Sequence, residues 1–216
     1  MELKGLKINF LGDSITEGIG ASALKYTYVS QFKALSGAVC RNYGISGTRI
    51  AEQKTLTLDC LSFDLDFCYR YKQMNKDADV VAVFGGTNDY DHGDAPLGKF
   101  EDRTAKTFYG ALHCLYSGLK EMYPNSFVFV MLPLHREGED KQTTPQYFDG
   151  HLIDYVEAIK KVANYYDLPI LDLYNESGML ADTKENSKKY FDDGLHPNDF
   201  GCKIIAEMVY EFLKNA

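Results

Sequence analysis

A serine at position 14 stands where a side-chain hydroxyl can act as a nucleophile. It follows Gly12 and the apolar run Leu6–Leu11, which is typical of a buried β-strand. A serine just past a strand is presented at the edge of a sheet, and its own backbone N–H can point into the same space. The alternative is a serine that caps a helix N-terminus, for which this side chain is well suited. Ser14 alone does not decide between the two.

Two further segments follow predicted strands and carry groups that could bind a negatively charged oxygen. Gly47 could offer a bare backbone N–H, although an ordinary glycine turn is the simpler interpretation of that residue. Asn88 follows Gly85-Gly86, whose lack of side chains lets the backbone approach closely, and its amide is a side-chain donor. A turn asparagine is the alternative. Both donors are expected at the same sheet edge as Ser14.

A carboxylate and an imidazole stand three residues apart near the C-terminus, at Asp193 and His196. In a turn, that separation lets the carboxylate accept the imidazole Nδ1–H while Nε2 faces outward. Of the five histidines, His196 alone has an acidic partner three residues earlier in a glycine-containing turn. The alternative is a helix-capping aspartate with an incidental histidine, because Pro197 suits the start of a helix.

Together these groups supply the parts that nucleophilic catalysis by serine needs. Ser14 would be the nucleophile, His196 would take its proton, and Asp193 would orient the imidazole. The Ser14 N–H, the Gly47 N–H and Asn88 Nδ2 would stabilise the oxyanion. Loss of one such donor costs roughly 3–4 kcal/mol of transition-state stabilisation.

The apolar pattern predicts the elements that must bring these distant segments together. Short apolar runs predict strands at Leu6–Leu11, Val39–Tyr43, Asp79–Phe84, Ser126–Leu132 and Leu168–Leu173. Apolar stripes at helical spacing predict helices over Val29–Leu35, Phe67–Met74, Phe108–Met122, Leu152–Tyr166 and Ile204–Phe212. Strands that alternate with helices in this way predict a doubly wound α/β fold with a parallel sheet. Such sheets bind ligands beyond the carboxyl ends of their strands, where the polar segments lie.

Composition excludes several classes of partner. The net charge is −8, from 31 acidic and 23 basic residues, and a negative field repels phosphate backbones. We therefore expect no nucleic-acid partner, and an anionic membrane is disfavoured for the same reason. The length of 216 residues suits one α/β domain. Whether the chain forms a homo-oligomer is left open.

The sequence also predicts a location and the absence of a cofactor. No stretch reaches the roughly 18 consecutive apolar residues of a membrane span, so no integral membrane contact is expected. Residues 1–10 are too short and too charged for a secretory signal, which predicts a cytoplasmic protein. The five cysteines contain no Cys-x-x-Cys pair, and no metal or other cofactor is expected.

Taken in order, the polar segments resemble the SGNH hydrolase superfamily, also called GDSL-type esterases and lipases. Its four blocks have counterparts in Gly12-Asp13-Ser14-Ile15-Thr16, Ile45-Ser46-Gly47-Thr48, Gly86-Thr87-Asn88-Asp89 and Asp193-Gly194-Leu195-His196-Pro197. The resemblance implies one hydrolase domain over residues 1–216, with a flavodoxin-like, three-layer α/β/α fold of about five parallel strands. It implies the same roles for the serine, the histidine, the aspartate and the three donors, and it usually implies no metal.

The resemblance implies ester hydrolysis through an acyl-enzyme without naming the ester. We favour a short acyl group, acetyl, on a carbohydrate or another small molecule, because no membrane element is present and 16 tyrosines could stack on sugars. A lipid acylhydrolase, either a lysophospholipase or a thioesterase, is the alternative, with Leu56–Tyr71 as the source of its apolar channel. A non-catalytic binding module on the same fold is the second alternative.

Residues in or near the four blocks and after the fourth strand are expected to line the substrate pocket. They are Asp13, which precedes the serine, Tyr90, which extends the third block, and His135, which follows the fourth strand together with Arg136. An ordinary surface pair is the alternative for the last two. The polar run 137–146 lies on the ligand side of the sheet, as a solvated loop or a mobile lid.

Overall fold

The computed structural model describes residues 1–58, 60–141 and 150–216. Its strands, numbered along the chain, are β1 Lys7–Gly12, β2 Val39–Gly44, β3 Val80–Phe84, β4 Phe127–Met131 and β5 Ile170–Leu171. Within the described residues they form one five-stranded, all-parallel sheet in the order β2-β1-β3-β4-β5. This is the flavodoxin-like order of a doubly wound fold, so the predicted fold class is confirmed.

Helices cover both faces of the sheet and its carboxyl edge. Their bounds are α1 Ser14–Glu17, α2 Tyr28–Ser36, α3 Phe67–Arg70, α4 Thr87–His92, α5 Phe108–Met122, α6 Leu152–Tyr165, α7 Leu173–Glu176, α8 Lys184–Tyr190 and α9 Asp199–Lys214. Short 3₁₀ turns lie at Leu24–Tyr26, Leu61–Asp64 and Tyr71–Gln73. No helix in the part of the chain that the structure describes has the length and apolar character needed to span a bilayer.

Both faces of the sheet are buried, which explains why its strands are continuous apolar runs. On one face Phe10 of β1 meets Tyr28 and Phe32 of α2, with ring centroids 5.8 and 5.6 Å apart, and α9 completes that layer. On the other face Leu11 of β1 belongs to the cluster that α5 and α6 cover. Neighbouring residues of one strand therefore serve opposite layers, as the pleat of a strand requires.

The fifth strand is shorter than predicted. The sequence predicts Leu168–Leu173, but β5 comprises Ile170–Leu171 only. Pro169 has no backbone N–H to give to the ladder, and Leu173 already begins α7, whose N-cap is Asp172. The apolar run is therefore shared between an edge strand and the helix that follows it.

One other predicted segment differs from the structure, and another lies mostly outside the described residues. The helix predicted over Phe67–Met74 is one α-helical turn, α3, followed by the 3₁₀ turn Tyr71–Gln73. The polar run 137–146 is described only as far as residue 141, so most of the predicted loop or lid lies outside the described residues.

The first helix sits unusually close to the ends of two strands. A Cβ on Gly44, at the end of β2, would lie 2.1 Å from the backbone nitrogen of Glu17 in α1. A Cβ on Gly12, at the end of β1, would lie 1.9 Å from Oγ1 of Thr16. Glycine at both strand ends therefore allows α1 to rest on the carboxyl edge of the sheet.

Gly44→Ala tests this close approach. The added methyl group would press on backbone rather than on a movable side chain, so we expect the free energy of unfolding to fall by about 3 kcal/mol. Gly178→Ala is the control, because its backbone has φ of +65° but nothing lies within 4 Å of the added Cβ. That substitution carries backbone strain alone, about 1–2 kcal/mol. Urea denaturation measures both, and equal losses would contradict the crowding at Gly44.

Candidate active site

Ser14 is the first residue of α1 at the carboxyl end of β1. It is 5% exposed, and Asp13 rather than Ser14 is the N-cap, since Asp13 Oδ1 accepts the Ile15 N–H at 3.0 Å. The interpretation of Ser14 as a capping serine is therefore wrong. Burial raises the pKa of Asp13 to about 6, and the hydrogen bond from Ile15 opposes this rise.

A continuous hydrogen-bonded chain joins Ser14 to His196 and Asp193. The distance from His196 Nε2 to Ser14 Oγ is 2.9 Å, and that from His196 Nδ1 to Asp193 Oδ2 is 2.6 Å. The other oxygen of Asp193 accepts the backbone N–H groups of Leu195 at 3.0 Å and of His196 at 2.7 Å. The turn thus fixes the carboxylate, and the carboxylate fixes the imidazole.

Hydrogen bonding keeps Asp193 ionised in its position at the protein surface. Partial burial raises the pKa of this carboxyl, but the hydrogen bonds from the His196 side chain and backbone outweigh it. The net pKa of Asp193 lies below its ordinary value. An ionised carboxylate beside Nδ1 favours the tautomer in which Nε2 is free to accept a proton.

The turn that carries the histidine is held from several sides. Phe191 and Pro197 form an antiparallel bridge across its base. Asn198 caps α9, with its Oδ1 3.0 Å from two backbone nitrogens of the first turn, so the interpretation of a helix-capping aspartate here is wrong. A Cβ on Gly20 would lie 2.9 Å from the His196 Cβ, and the loop after α1 therefore packs directly against the imidazole-bearing residue.

The predicted oxyanion donors lie on neighbouring segments of the carboxyl edge. Within residues 1–58, 60–141 and 150–216, the N–H groups of Ser14 and Gly47 have no hydrogen-bond acceptor. Asn88 Nδ2 donates to the carbonyl of Thr48 at 3.0 Å, and an amide NH₂ keeps a second hydrogen. Gly47 has φ of +73°, and a Cβ there would meet the ring of Phe63 at 2.4 Å. These groups can provide donors for a developing oxyanion.

A buried carboxylate that the sequence reasoning missed holds the loop after β2. Asp89 accepts the backbone N–H of Ile50 at 2.8 Å and that of Ala51 at 2.9 Å. Burial raises the pKa of Asp89 to about 7, against the effect of these two hydrogen bonds. Asp89 follows Asn88 directly, so the first turn of α4 both offers a donor and anchors the loop that carries the other one. The position of Asp89 in the third block is the feature of the sequence that could have indicated this role.

A narrow crevice lies beside Ser14. Its walls come from the ends of β1, β3 and β4 and from the histidine turn, and they consist of Asp13, Ile15, Phe84, Gly85, Thr87, Pro133, Leu134, His135 and Leu195. Its walls lie so close together that a water molecule does not fit between them. Two of the predicted pocket residues, Asp13 and His135, therefore line it.

The third predicted pocket residue, Tyr90, lies in the core. It is buried against Tyr155, with ring centroids 6.0 Å apart. Its hydroxyl lies 2.7 Å from the carbonyl oxygens of both Gly138 and Lys141 and can donate to one of them at a time. Tyr90 is thus placed to support the segment after β4 instead of lining the crevice.

The structure offers no cluster suited to a metal ion in the part of the chain that it describes. No group of three or more histidine, cysteine, aspartate or glutamate side chains converges among those residues. Asp192 and Asp193 are adjacent, but Asp193 is engaged by the His196 imidazole.

The sequence profile of the GDSL-like Lipase/Acylhydrolase family matches residues 10–204, which span all four blocks. The chain belongs to this family. Membership supports a serine ester hydrolase, so the predicted family and enzyme class are confirmed.

The chain is also similar to individual proteins over nearly all of its length. An acetylxylan esterase of Xylanibacter ruminicola is 25% identical over 97% of this chain, which spans 43% of that relative's length. A crystal structure of a Lactobacillus plantarum protein is 31% identical, with a TM-score of 0.84 over 99% of this chain and 98% of that one. A Chitinophaga pinensis protein described as a possible lipase is 20% identical, with a TM-score of 0.72 over 97% and 98% of the two chains, and shares the fold.

Asp89→Asn tests the anchor beneath the loop. Both carboxylate oxygens accept N–H groups, whereas asparagine would turn an NH₂ toward one of them, so we expect a loss of about 1–3 kcal/mol in the free energy of unfolding. Asp167→Asn, at an exposed turn, is the control.

The loss should also depend on pH. The folded chain keeps a proton on Asp89 up to about pH 7, whereas the unfolded chain releases it near the ordinary pKa of 3.8. The stability that Asp89 contributes therefore falls as the pH rises through this window, while asparagine does not titrate. Urea titrations across this range should show a shrinking difference between wild type and Asp89→Asn. A constant difference would contradict a raised pKa.

Proposed function

We propose that this chain hydrolyses carboxylic esters through an acyl-enzyme on Ser14, and that it removes a short acyl group, acetyl, from a carbohydrate or another small alcohol. The observation that carries the proposal is the unbroken hydrogen-bonded chain from Asp193 through His196 to Ser14, with distances of 2.6 and 2.9 Å. Nucleophile, base and orienter at such distances form the working unit of serine hydrolases.

The proposed reaction has two halves. Neutral His196 accepts the hydroxyl proton at Nε2 as Ser14 Oγ attacks the carbonyl carbon, and the C=O electron pair moves to oxygen. The N–H groups of Ser14 and Gly47 and the Asn88 amide stabilise that oxyanion. The intermediate collapses, and the alcohol leaves with the proton from His196. Water then attacks the acyl-enzyme with the same base and the same donors, which frees the acid and Ser14.

The narrowness of the crevice argues against a long acyl chain. Ile15, Thr87 and Leu195 each lie one residue from a proposed catalytic or oxyanion residue, and all three line the crevice, whose walls leave no room for a water molecule between them. A long chain needs an open channel, whereas an acetyl group needs only a small movement of these side chains. The acetylxylan esterase relative supports a carbohydrate as the alcohol part.

A lipid ester remains the second candidate because one loop exposes apolar side chains next to the site. Leu56, Leu58 and Leu61 are 64%, 85% and 64% exposed. They flank Phe63, whose ring lies against Gly47. A surface of this kind suits an apolar substrate or partner. The non-catalytic binding module has less support, because the hydrogen-bonded triad has no role in it.

Ser14→Ala is the direct test of the nucleophile. We expect kcat for p-nitrophenyl acetate to fall by at least about 10⁴-fold, since the attacking oxygen is lost while the fold remains. Ser36→Ala is the control, because this buried serine of α2 bonds to the Phe32 carbonyl and lies in a different helix. Labelling by a fluorophosphonate should disappear in Ser14→Ala and persist in Ser36→Ala. Near-normal turnover or labelling in Ser14→Ala would remove Ser14 from its role.

A series of p-nitrophenyl esters from acetate to decanoate tests the acyl pocket. We expect kcat/KM to be highest for acetate and to fall as the chain lengthens. Leu195→Ala removes part of the crevice wall and should shift the optimum toward butyrate or longer chains. Leu24→Ala, a largely exposed leucine, should leave the profile unchanged. A wild-type optimum at long chains would favour the lipid acylhydrolase instead.

A further inference from the structure

Arg70, the last residue of α3, is a buried cation directly below the proposed active site. It is 6% exposed. Its guanidinium makes four hydrogen bonds of 2.6–2.9 Å, with acceptors Leu65 O, Tyr43 O, Gly12 O and Thr48 Oγ1. An arginine fork can satisfy several acceptors with fixed geometry, which a lysine cannot do.

The acceptors of Arg70 belong to the two segments that carry the reacting groups. Gly12 ends β1, two residues before Ser14, and its carbonyl lies 2.9 Å from Nη2. Thr48 follows Gly47, and its hydroxyl lies 2.8 Å from the same nitrogen. One Nη2 group therefore spans the nucleophile segment and the segment with the second oxyanion donor.

The same short helix also contacts the third segment. A Cβ on Gly85, just before the Asn88 turn, would lie 2.6 Å from the ring of Phe67 in α3. That ring lies 4.9 Å from the Arg70 guanidinium carbon, and the Phe67 N–H donates to Arg49 O at 3.0 Å. One helical turn thus touches the ends of β1, β2 and β3.

Burial of the Arg70 charge carries a desolvation free energy. Burial lowers the pKa of the guanidinium to about 10, and nearby Asp13 opposes this shift, so the group stays protonated at neutral pH. Its four acceptors are carbonyls and a hydroxyl, with no carboxylate among them. A buried cation whose hydrogen-bond partners are all neutral contributes little net stability, because its desolvation opposes those hydrogen bonds. The fixed geometry of the guanidinium is therefore its more important property.

We propose that Arg70 is a positioning residue for ester hydrolysis: its guanidinium fixes the distance between the Ser14 nucleophile and the Gly47 donor. It touches no substrate atom and acts through the Gly12 carbonyl and the Thr48 hydroxyl. The inference rests on the proposed function, since it needs Ser14 as the attacking residue.

The test compares Arg70→Lys and Arg70→Met with wild type. Lysine keeps the charge but loses the fork, and methionine loses both. Removing one oxyanion donor lowers kcat by about 10²–10³-fold, and displacing a donor should have a smaller effect. We therefore expect kcat per titrated active site to fall about 10- to 100-fold in both variants. KM for p-nitrophenyl acetate should stay within about two-fold, because ground-state binding does not use the oxyanion donors.

Two inhibitors separate positioning from a general loss of structure. A trifluoromethyl ketone forms a tetrahedral adduct on the serine and should lose affinity by the same factor as kcat/KM. The neutral alcohol 4-nitrobenzyl alcohol, which forms neither an adduct with the serine nor an oxyanion at neutral pH, should inhibit all variants equally. Arg41→Met is the control, since that arginine pairs with Asp77 at the surface and contacts β1 only through Asn9 Oδ1, at 3.4 Å, and not at the Gly12 carbonyl.

The outcomes are distinct. Unchanged kcat per titrated site in Arg70→Lys overturns the inference, as does an equal loss of affinity for both inhibitors. If Arg70→Met does not fold, Arg70→Lys decides by the same measurements. If the wild-type chain hydrolyses esters no faster than Ser14→Ala does, the proposed function is overturned instead.

Discussion

The site depends on one hydrogen bond across the whole chain, between His196 Nε2 and Ser14 Oγ, which are 182 residues apart in sequence and 2.9 Å apart in space. No local structure can create such a contact. It requires that the turn before α9 return to the end of β1, and α9 does so by packing on α2 against the same sheet face. The large apolar interface of that layer therefore sets the position of the imidazole.

The remaining parts of the site follow from the parallel sheet. In a parallel sheet all carboxyl ends meet at one edge, and the order β2-β1-β3 puts the Ser14 strand between the strands that lead to Gly47 and Asn88. The serine is thus flanked by its two proposed donors without any long loop. The order of the strands therefore determines that Ser14 lies between Gly47 and Asn88.

The sequence predicted those parts of the site that have a local signature. Apolar runs identified all five strands, and the spacing of Asp193 and His196 indicated a turn in which the two side chains meet. The edge strand β5 was predicted too long, because an apolar run does not reveal where pairing stops and a helix begins.

Supports from distant segments have no such signature. The four acceptors of Arg70 are dispersed from Gly12 to Leu65, and three of them are backbone carbonyls that every residue possesses. The burial of Tyr90 was not predicted, for a similar reason. Its neighbours in sequence suggested the pocket, but its position in α4 turns the ring toward Tyr155 in the core.

Three carboxylates near the site differ in pKa for physical reasons that bear on the proposed reaction. Asp193 lies at the surface and its pKa is lowered, so it stays negative beside the imidazole, which becomes positive when it accepts the proton. Asp13 and Asp89 are buried nearer the oxyanion donors, and burial raises their pKa values to about 6 and about 7.

A full negative charge near a developing oxyanion would oppose it, because Coulomb repulsion is strong where water is excluded. Burial reduces that charge only in part, because a pKa of about 6 leaves most of Asp13 ionised at neutral pH. The side chains of His196 and Arg70 both favour the ionised form of Asp13 and offset its charge. Asp13 and Asp89 meanwhile hold their loops through backbone N–H bonds. The supporting residues therefore contribute to the electrostatics of the site as well as to its geometry.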